Sequence, residues 1–397
     1  MPHHRYLIVG GGVTADAAVK GIRSVDPDGP IGLVSAELDP PYDRPPLTKG
    51  LWKDTAPESI WRGTADRGVD LLLGTRIIRV ETDERTATDD KGTVHSWDKL
   101  LLATGGIARL LPGAPPQVIH FRGWRDYLKL RELTKTKRRF AVIGGGFIGS
   151  ELAAALATAG KKVTLLFPDP GIGSKVFPAA HARALVDYFR ERGVDVRAGA
   201  TVTDVRKSGE VMALAVANAG GALETLRVDV VVVGIGIDPA TSLAESAGVP
   251  VDNGVVVDGA LRTEHPAIWA AGDVASVWSP ALGRRLRFEH EDQATTTGEA
   301  AGRAMAGEAV QLDHLPFFYS DLFDQGYEAV GILDPKLDVV EDWTEPHRKG
   351  VIYYTEGGRA RGVLLWNVFG KVDAARALIR GGERRRPNEW RGAIAAD

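Results

Sequence analysis

The segment RFAVIGGGFIGSELAAALATAGKKVTLLFPDP, residues 139–170, runs from an apolar strand through a glycine turn into an alanine-rich helix and a second apolar strand. Its turn has the spacing Gly144-x-Gly146-x-x-Gly149, and Asp169 follows twenty residues later. Glycines at these positions let the backbone approach a pyrophosphate, and the helix N-terminus directs free N–H groups at its negative charge. The segment therefore predicts a βαβ unit that binds a dinucleotide.

The same pattern occurs earlier in the chain. The segment YLIVGGGVTADAAVKGIRSV, beginning at Tyr6, has the turn Gly10-x-Gly12-x-x-Ala15, and the next strand, IGLVSAEL, places Glu37 22 residues further on. A single glycine turn is weak support for a ligand. Two complete βαβ units, each followed by an acid at the spacing of a ribose acceptor, indicate two bound dinucleotides.

The economical interpretation is that one dinucleotide is a flavin and the other a nicotinamide coenzyme. Hydride transfer between two such rings requires both and needs no protein nucleophile. An acid after the second strand hydrogen-bonds a free 2′-hydroxyl and repels a 2′-phosphate. Asp169 therefore favours NADH over NADPH, and Lys175 lies close enough in the sequence to weaken that preference.

Composition narrows the function further. The chain has 397 residues, 44% apolar and 25% charged, with a formal net charge of −3, which predicts two or three globular domains and no nucleic-acid surface. Apolar runs are too short for a membrane span, and the first strand starts too early for a signal peptide, so we expect a cytoplasmic protein. The absence of cysteine excludes a redox disulfide, a thiolate nucleophile and a cysteine-ligated iron–sulfur cluster. No metal site is expected.

Further motifs resemble those of one family. In chain order they are PPYDRPPLTKGLW (40–52), LLATGG (101–106), VVVGIGIDP (231–239) and IWAAGDVA (268–275). These motifs are similar to those of FAD-dependent pyridine nucleotide oxidoreductases of the ferredoxin-reductase type. The second glycine turn, the Glu-His pair of LRFEHEDQA, and the segments YSDLFDQGYEAVGILD and GVLLWNVFGKVDAARALIRGGE resemble the apoptosis-inducing-factor branch of that family.

The resemblance implies an α/β fold with two Rossmann-type dinucleotide-binding domains and a small α+β C-terminal interface domain. The expected FAD domain is split, with residues 1–111 and 237–315, and the NAD domain occupies residues 112–236 between its halves. Residues 316–397 form the interface or dimerisation domain. Its expected elements are the strands YEAVGIL, GVIYYTE and ARGVLLWNV and a helix at 371–381.

The resemblance also implies roles at the flavin. Sequence separation alone would favour an ordinary surface salt bridge between Lys49 and Glu151. The resemblance instead implies that Lys49 lies beside the reactive face of the isoalloxazine and forms a buried ion pair with Glu151, which makes a buried lysine tolerable. A helix beginning at Glu289 would direct its N-terminus at the pyrimidine edge and stabilise the reduced ring, with His290 near both cofactors. The remaining residues expected to contact FAD are Arg44, Ile78, Thr104, Gly105, Arg122 and Asp273.

On the coenzyme side, the resemblance implies that Phe147 and an aromatic residue of the C-terminal domain sandwich the nicotinamide. The matching aromatic is Tyr319, where relatives carry tryptophan, and Glu328 matches a further nicotinamide contact. Stacking would hold the two rings at roughly 3 to 3.5 Å for hydride transfer. Gly236 is also expected at the NAD site.

Three functions are consistent with these residues. The first is reduction of a ferredoxin or a similar electron carrier, for which Arg284, Arg285 and Arg287 are a candidate docking patch. The second resembles apoptosis-inducing factor: slow reaction with oxygen or quinones, a long-lived FADH2–NAD⁺ charge-transfer complex, and homodimer contacts that change on reduction. The third is a flavin-bound, redox-sensing binding module. The Glu-His pair and the aromatic sandwich favour the second, while the electron acceptor stays open.

Overall fold

The computed structural model describes residues 1–396, which form two compact units. Unit 1 contains Met1–Arg44, Ala56–Ile107 and Asp238–Phe317. Unit 2 contains Pro45–Thr55, Ala108–Ile237 and the described chain from Phe318 onward. The predicted boundaries between the FAD, NAD and C-terminal domains stay a prediction.

The strands and helices are numbered here in chain order. The strands are β1 His3–Val9, β2 Ile31–Val34, β3 Val69–Leu72, β4 Ile77–Glu81, β5 Thr86–Asp89, β6 Val94–Leu102, β7 Gly106–Ala108, β8 Ile119–His120, β9 Arg139–Ile143, β10 Lys162–Phe167, β11 Asp195–Ala198, β12 Thr201–Ser208, β13 Val211–Ala217, β14 Leu223–Val228, β15 Val230–Val233, β16 Ile237–Pro239, β17 Val255–Val256, β18 Ile268–Ala270, β19 Ala275–Ser279, β20 Arg284–Leu286, β21 Phe317–Leu322, β22 Gln325–Gly331, β23 Asp338–Glu345, β24 Lys349–Glu356 and β25 Arg359–Trp366. The helices are α1 Val13–Val25, α2 Trp124–Thr136, α3 Phe147–Thr158, α4 Ala179–Glu191, α5 Ser242–Ser246, α6 Glu291–Ala306 and α7 Val372–Gly381.

Unit 1 is built on a sheet with the order β3-β2-β1-β6-β5-β4, and β18 also pairs with β6. The strands β3, β2, β1, β6 and β18 run parallel, which is the arrangement expected of a βαβ-based fold. Residues 6–8 of β1 and 100–101 of β6 are fully buried because helices or other strands cover both faces. The carboxyl end of β1 therefore opens directly into the first glycine turn.

Close packing of α1 against α6 also depends on glycine. A Cβ on Gly302 would lie 2.1 Å from the carbonyl oxygen of Ala18, and a Cβ on Gly298 would lie 2.4 Å from that of Thr14. From the other helix, a Cβ on Gly21 would lie 2.1 Å from the Glu299 carbonyl oxygen. The two helix backbones thus approach each other closely, which fixes the start of α1 relative to α6.

Unit 2 contains three sheets. The parallel sheet has the order β11-β10-β9-β15-β8, the antiparallel β12-β13-β14 sheet packs with it in one core cluster, and the third sheet has the antiparallel order β21-β22-β25-β24-β23. The predicted C-terminal strands correspond to β22, β24 and β25, and the predicted helix corresponds to α7. The mixed α/β fold predicted from the two βαβ patterns is confirmed.

One predicted boundary is wrong. The helix expected from Glu289 begins at Glu291, because His290 has an extended backbone (φ −123°, ψ 148°) and its carbonyl accepts the first helical hydrogen bond, from Ala294 N at 2.9 Å. Glu289 and His290 therefore precede the helix. Among residues 1–396, we found no helix long and apolar enough to cross a membrane.

Candidate functional site

The first glycine turn has the geometry of a phosphate cradle. Gly10 has φ +129°, and a Cβ there would lie 2.0 Å from the carbonyl oxygen of Ala103 on the neighbouring strand end. Gly12 precedes α1 as its extended cap residue, and a Cβ there would meet nothing within 4 Å. Ala15, at the third position, is fully buried in the helix. The open face at Gly12 fits a pyrophosphate at the helix N-terminus.

The predicted ribose acceptor Glu37 is held by neighbouring side chains. Arg44 forms an ion pair with Glu37, and the hydroxyl of Tyr42 donates to Glu37 Oε2 at 2.8 Å. The Arg44 Nη1 donates to the Tyr42 hydroxyl at 3.1 Å. Burial lowers the pKa of Arg44, but Tyr42, Glu37 and Asp273 outweigh it and the pKa is raised. Glu37, Arg44 and Asp273, predicted from three separate motifs, therefore belong to one electrostatic cluster.

Asp273 and His290 lie in the same unit. Asp273 follows Gly272, which has φ +74° and lies so close to α1 that a Cβ would be 2.1 Å from Thr14 Oγ1. His290 is partly exposed, yet burial of its ring lowers the pKa to about 4, against the raising effect of Asp273 and Asp292. The imidazole is therefore neutral at pH 7 and is suited to hydrogen bonding rather than to carrying charge.

Three other residues expected near FAD, Ile78, Thr104 and Gly105, lie at strand irregularities or strand ends in unit 1. Ile78, with a side chain 57% exposed, lies where the β4–β5 register shifts, and such a bulge leaves a residue outside the ladder. Thr104 Oγ1 donates to the carbonyl of Ala240 at 2.8 Å. Gly105 has φ +66° and accepts from Ala240 N at 2.9 Å. Their contact with FAD stays a prediction.

A buried ionic network next to the first turn was not foreseen from the sequence. The Asp16 carboxylate, fully buried on α1, accepts from Thr64 Oγ1 at 2.6 Å and from Arg62 Nε at 2.8 Å. Arg67 and Lys20 lie 3.1 and 2.9 Å from it. Burial raises the pKa of Asp16, but the hydrogen bonds from Arg62, Thr64 and Lys20 lower it overall. The network anchors the loop around residues 62–67 to α1.

The second turn repeats the geometry of the first in unit 2. Gly144 has φ +123°, and a Cβ there would lie 2.2 Å from the carbonyl oxygen of Gly234. Gly146 is the extended cap of α3, and a Cβ there would meet nothing within 4 Å. A Cβ on Gly149 would lie 1.9 Å from the Gly144 carbonyl oxygen. Gly144 and Gly149 are thus required by the fold, while the space at Gly146 fits a phosphate.

The predicted specificity residues lie around this turn. Asp169 is two residues beyond β10, is partly exposed, and is fixed by a hydrogen bond from Gly199 N to its carbonyl at 3.0 Å. Lys175 is exposed on the loop whose Gly173 N donates to Gly145 O at 2.8 Å, so this loop closes against the turn. Gly236 has φ +102° and is exposed. The 2′-hydroxyl role of Asp169 stays a prediction.

The predicted pair of Lys49 and Glu151 is present within unit 2. Lys49 Nζ donates to Glu151 Oε1 at 2.7 Å, and the two side chains are 11% and 5% exposed. Glu151 is the fifth residue of α3, two residues after Gly149. An ion pair buried to this degree requires further hydrogen bonds to offset its desolvation. The surface salt bridge that sequence separation alone would suggest is therefore not what the fold contains.

Two hydroxyl groups that the sequence motifs do not predict provide those hydrogen bonds. Thr48 Oγ1 donates to Glu151 Oε2 at 2.5 Å, and Ser320 Oγ donates to Glu151 Oε1 at 2.5 Å. Thr48 precedes Lys49, and Ser320 follows Tyr319. Each lies beside a predicted site residue, which was the one sequence signal that could have identified it. The hydrogen bonds themselves join residues far apart in the chain: Thr48 is 103 and Ser320 169 residues from Glu151.

Aromatic side chains surround the coenzyme turn. Phe147 at the start of α3 packs against Phe318 with ring centroids 5.4 Å apart, and Lys49 Nζ lies 5.3 Å from the ring centroid of Tyr319. The Tyr319 ring is 41% exposed. Glu328 Oε2 accepts from Gly370 N at 3.1 Å. The nicotinamide sandwich by Phe147 and Tyr319 stays a prediction, and Phe318 is an aromatic neighbour of Phe147 that was not predicted from the sequence.

The remaining predicted arginines, Arg122 and those of the candidate docking patch, lie in segments held by local hydrogen bonds and ion pairs. Arg122, predicted at FAD, belongs to unit 2, where its backbone N donates to Asp126 Oδ2 at 3.0 Å. In the candidate docking patch, Arg285 Nη1 donates to the carbonyl of Val257 at 2.9 Å, and Arg287 forms an ion pair with Glu289 at 2.7 Å. Arg285 and Arg287 therefore support the local fold, which weakens their case as docking groups.

Comparison with known proteins defines the class. A sequence profile of the pyridine nucleotide-disulphide oxidoreductase family matches residues 4–300, and a profile of the C-terminal part of mitochondrion-associated apoptosis-inducing factor matches residues 341–381. The chain is 34% identical to apoptosis-inducing factor 1, mitochondrial, of Dictyostelium discoideum over 94% of this chain and 78% of the relative. It is also 34% identical to the ferredoxin–NAD(+) reductase component of the anthranilate 1,2-dioxygenase system of Burkholderia cepacia, over 97% of this chain and 96% of the relative.

Among solved structures, the ferredoxin reductase for the CYP199A2 system from Rhodopseudomonas palustris has a TM-score of 0.88 and 27% identity, covering 99% of this chain and 97% of that one. The fold and its two glycine turns therefore define an FAD- and NAD(H)-binding oxidoreductase. The chain belongs to the pyridine nucleotide-disulphide oxidoreductase family and is similar to both apoptosis-inducing factor and the ferredoxin reductases. The family is named for a disulphide, but this chain has no cysteine.

Proposed function

We propose that this chain is an NADH-dependent reductase of a ferredoxin-type electron carrier. The observation that most supports this proposal is the match to the Burkholderia cepacia ferredoxin–NAD(+) reductase component, which covers 97% of this chain and 96% of that relative. The match to Dictyostelium discoideum apoptosis-inducing factor leaves more of the relative uncovered, with 78% aligned. A carrier protein is therefore the acceptor that the comparisons favour.

The residues of the chain support this function through binding and orientation. The open faces at Gly12 and Gly146 suit two pyrophosphates, and Glu37 and Asp169 are the corresponding ribose acceptors. FAD supplies the redox chemistry when bound, since it accepts a hydride from NADH and releases electrons one at a time. The position of Asp169 supports NADH over NADPH as the coenzyme.

Lys49 is the proposed catalytic group at the flavin, the role that the family resemblance implies. Its charge is held by Glu151 in a buried pair, so its position is fixed before any ligand binds. His290 is proposed as a neutral hydrogen-bonding group, consistent with the lowering of its pKa to about 4 by burial. Without cysteine, electrons leave from the flavin without passing through a protein thiol.

The test is an anaerobic titration of the purified, FAD-loaded protein with NADH, recorded by visible spectroscopy, followed by addition of an oxidised [2Fe–2S] ferredoxin. Bleaching of the flavin by NADH and its rapid reoxidation by the ferredoxin are expected. The same bleaching with reoxidation by a quinone or oxygen alone would contradict the carrier assignment. Bleaching by NADPH without any bleaching by NADH would contradict the coenzyme assignment.

A second function is favoured by the C-terminal profile match, which covers residues 341–381 in the β23–β25 region and α7. In it, the reduced protein retains NAD⁺ in a long-lived charge-transfer complex and forms a homodimer, as the resemblance to apoptosis-inducing factor implies. A broad long-wavelength absorption band that survives air would support this function. Sedimentation velocity with and without NADH would show whether a dimer forms on reduction.

A further inference from the structure

The environment of Glu151 contains more than an ion pair. One carboxylate oxygen, Oε1, accepts from both Lys49 Nζ at 2.7 Å and Ser320 Oγ at 2.5 Å, and the other, Oε2, accepts from Thr48 Oγ1 at 2.5 Å. The carboxylate is therefore fixed by three donors from two separate segments of unit 2, residues 45–55 and β21. A carboxylate without hydrogen-bond donors can rotate among several orientations, and each donor to Glu151 restricts that rotation.

The donor Ser320 interacts with the side chain of Tyr327. This phenol is 1% exposed, and its ring stacks on Trp366 with centroids 5.1 Å apart. Burial raises the pKa of Tyr327 well above its usual range, the charge of Glu151 raises it further, and the hydrogen bond with Ser320 lowers it. The phenol is thus neutral and carries its proton at any working pH.

The single hydroxyl hydrogen of Ser320 is directed at Glu151. Ser320 Oγ and Lys49 Nζ therefore donate to the same carboxylate oxygen, Oε1, while Thr48 Oγ1 donates to Oε2. Charge-assisted donors on both oxygens hold the carboxylate in one orientation.

The strand that carries Ser320 also carries the aromatic residues of the coenzyme site. Consecutive residues of β21 make three contacts: Phe318 packs on Phe147, Tyr319 lies 5.3 Å from Lys49 Nζ, and Ser320 binds Glu151. A buried serine needed for folding alone would not have to join these groups. The strand thus fixes the ion pair and the coenzyme aromatics through one stretch of backbone.

We propose that Ser320 is a positioning residue for hydride transfer: its hydroxyl orients Glu151 and through it Lys49. The inference rests on the proposed function and deepens it. Loss of the hydroxyl frees one rotation of the Glu151 carboxylate and lets Lys49 move from its fixed position. Small misplacements of catalytic groups lower rates by up to about 100-fold.

The test compares Ser320→Ala with Ser276→Ala in the FAD-loaded protein. Both serines are 2% exposed, but Ser276 lies in unit 1, outside this hydrogen-bonded group. For Ser320→Ala we expect flavin reduction by NADH to slow by roughly tenfold, with NADH affinity little changed. We also expect the flavin midpoint potential to become more negative, because a less fixed cation stabilises the reduced flavin less well. Ser276→Ala should change neither quantity.

Two further variants separate positioning from folding. Tyr327→Phe keeps the ring that stacks on Trp366 and removes the hydroxyl that interacts with Ser320, so it should shift rate and potential in the same direction by a smaller amount. Ser320→Thr keeps the hydroxyl and should recover most of the rate. The inference is overturned if Ser320→Ala reduces its flavin at the original rate and potential, or changes only in thermal stability. If NADH does not bleach the unaltered protein, the proposed function fails first, and this inference fails with it.

Discussion

Lys49 Nζ lies 2.7 Å from Glu151 Oε1, although 102 residues separate the two in the chain. The link connects the segment 45–55 to the start of α3, directly after the coenzyme turn. Because both side chains are almost fully removed from solvent, each is costly without the other.

Removing either member of this pair should have unequal effects. In Lys49→Ala, Glu151 keeps the hydroxyl donors Thr48 and Ser320, whereas in Glu151→Ala the buried ammonium of Lys49 loses its charged partner. We expect Glu151→Ala to cost about 3–5 kcal/mol of unfolding free energy and Lys49→Ala less. Urea unfolding of the FAD-loaded variants measures this difference, and equal losses would contradict the role of the hydroxyls.

Both variants should also slow flavin reduction by NADH, by about 10- to 100-fold, since Lys49→Ala removes the cation and Glu151→Ala frees it from its fixed position. Stopped-flow absorbance at saturating NADH provides the rate. A rate equal to that of the unaltered protein in both variants would show that the pair is structural.

The coenzyme turn allows ligand binding to be separated from folding by glycine substitutions. A Cβ at position 146 meets no protein atom within 4 Å, so Gly146→Ala should fold normally and weaken NADH binding by about tenfold through contact with the pyrophosphate. Gly149→Ala should lose stability as well, because its Cβ falls 1.9 Å from the Gly144 carbonyl oxygen. Gly381→Ala, also in open space, is the control. Unchanged NADH affinity in Gly146→Ala, measured by calorimetry, would contradict a phosphate at this turn.

Coenzyme preference should depend on Asp169. Asp169→Ala removes an acceptor for the 2′-hydroxyl and a charge that repels a 2′-phosphate, so the NADH-to-NADPH ratio of kcat/KM should fall at least tenfold, or about 1.4 kcal/mol. Lys175→Ala should raise the ratio slightly, because the exposed Lys175 attracts a 2′-phosphate. Steady-state kinetics with both coenzymes checks the pair of variants. A ratio that does not respond to Asp169→Ala would place the ribose acceptor elsewhere.

The buried network around Asp16 should be a stability element. Asp16→Ala leaves Arg62, Arg67 and Lys20 without their shared carboxylate, so we expect a loss of about 3 kcal/mol in unfolding free energy. Asp66→Asn, at an exposed position of the same loop, is the control and should change stability by no more than about 0.5 kcal/mol. Similar denaturation midpoints for the two variants would contradict this role.

Acid sensitivity should arise in part from His181. Its ring is fully buried, with its centroid 4.2 Å from that of Trp366, and it stacks on His347; burial, together with the nearby His347, lowers its pKa to about 3. Because the folded-state value lies below the usual 6.5, protons bind the unfolded chain preferentially. The stabilising contribution is therefore complete above pH 6.5 and is lost as the pH falls towards 3.

Replacing this histidine should flatten the pH dependence. Between pH 6 and pH 4, the unaltered protein should lose about 1.4 kcal/mol per pH unit more than His181→Phe, which keeps a ring in the aromatic cluster. Unfolding curves at pH 7, 6, 5 and 4 give the two slopes. Parallel slopes would show that His181 does not carry the acid sensitivity.

The sequence predicted the features that short segments determine. Each glycine turn, its strand and its helix are adjacent in the chain, so the pattern at Gly144 to Gly149 carried nearly all the information required. The start of α6 was misplaced by two residues, because acidic residues at 289, 291 and 292 are all compatible with a helix start and the backbone angles of His290 decide it.

Contacts between segments that are far apart in the sequence could not be predicted in the same way. The approach of Lys49 to Glu151 was expected through family resemblance, since spacing alone favoured a surface salt bridge. Thr48 and Ser320 are ordinary hydroxyl residues in the sequence, and their role appears when three distant segments meet at one carboxylate. Asp16 was likewise hidden, because its partners Arg62 and Arg67 come from a loop about 50 residues away.

Strand β18 pairs with β6, and Ile268 lies opposite Leu100, about 170 residues earlier in the chain. During synthesis, at roughly 5–20 residues per second, the Leu100–Leu102 part of β6 waits on the order of ten to thirty seconds for this partner. Unit 2 receives the whole of its parallel sheet, residues 119–233, within that interval. The nascent chain therefore carries an unpaired stretch of sheet edge on the ribosome during this interval, and unpaired strand edges of this kind favour aggregation.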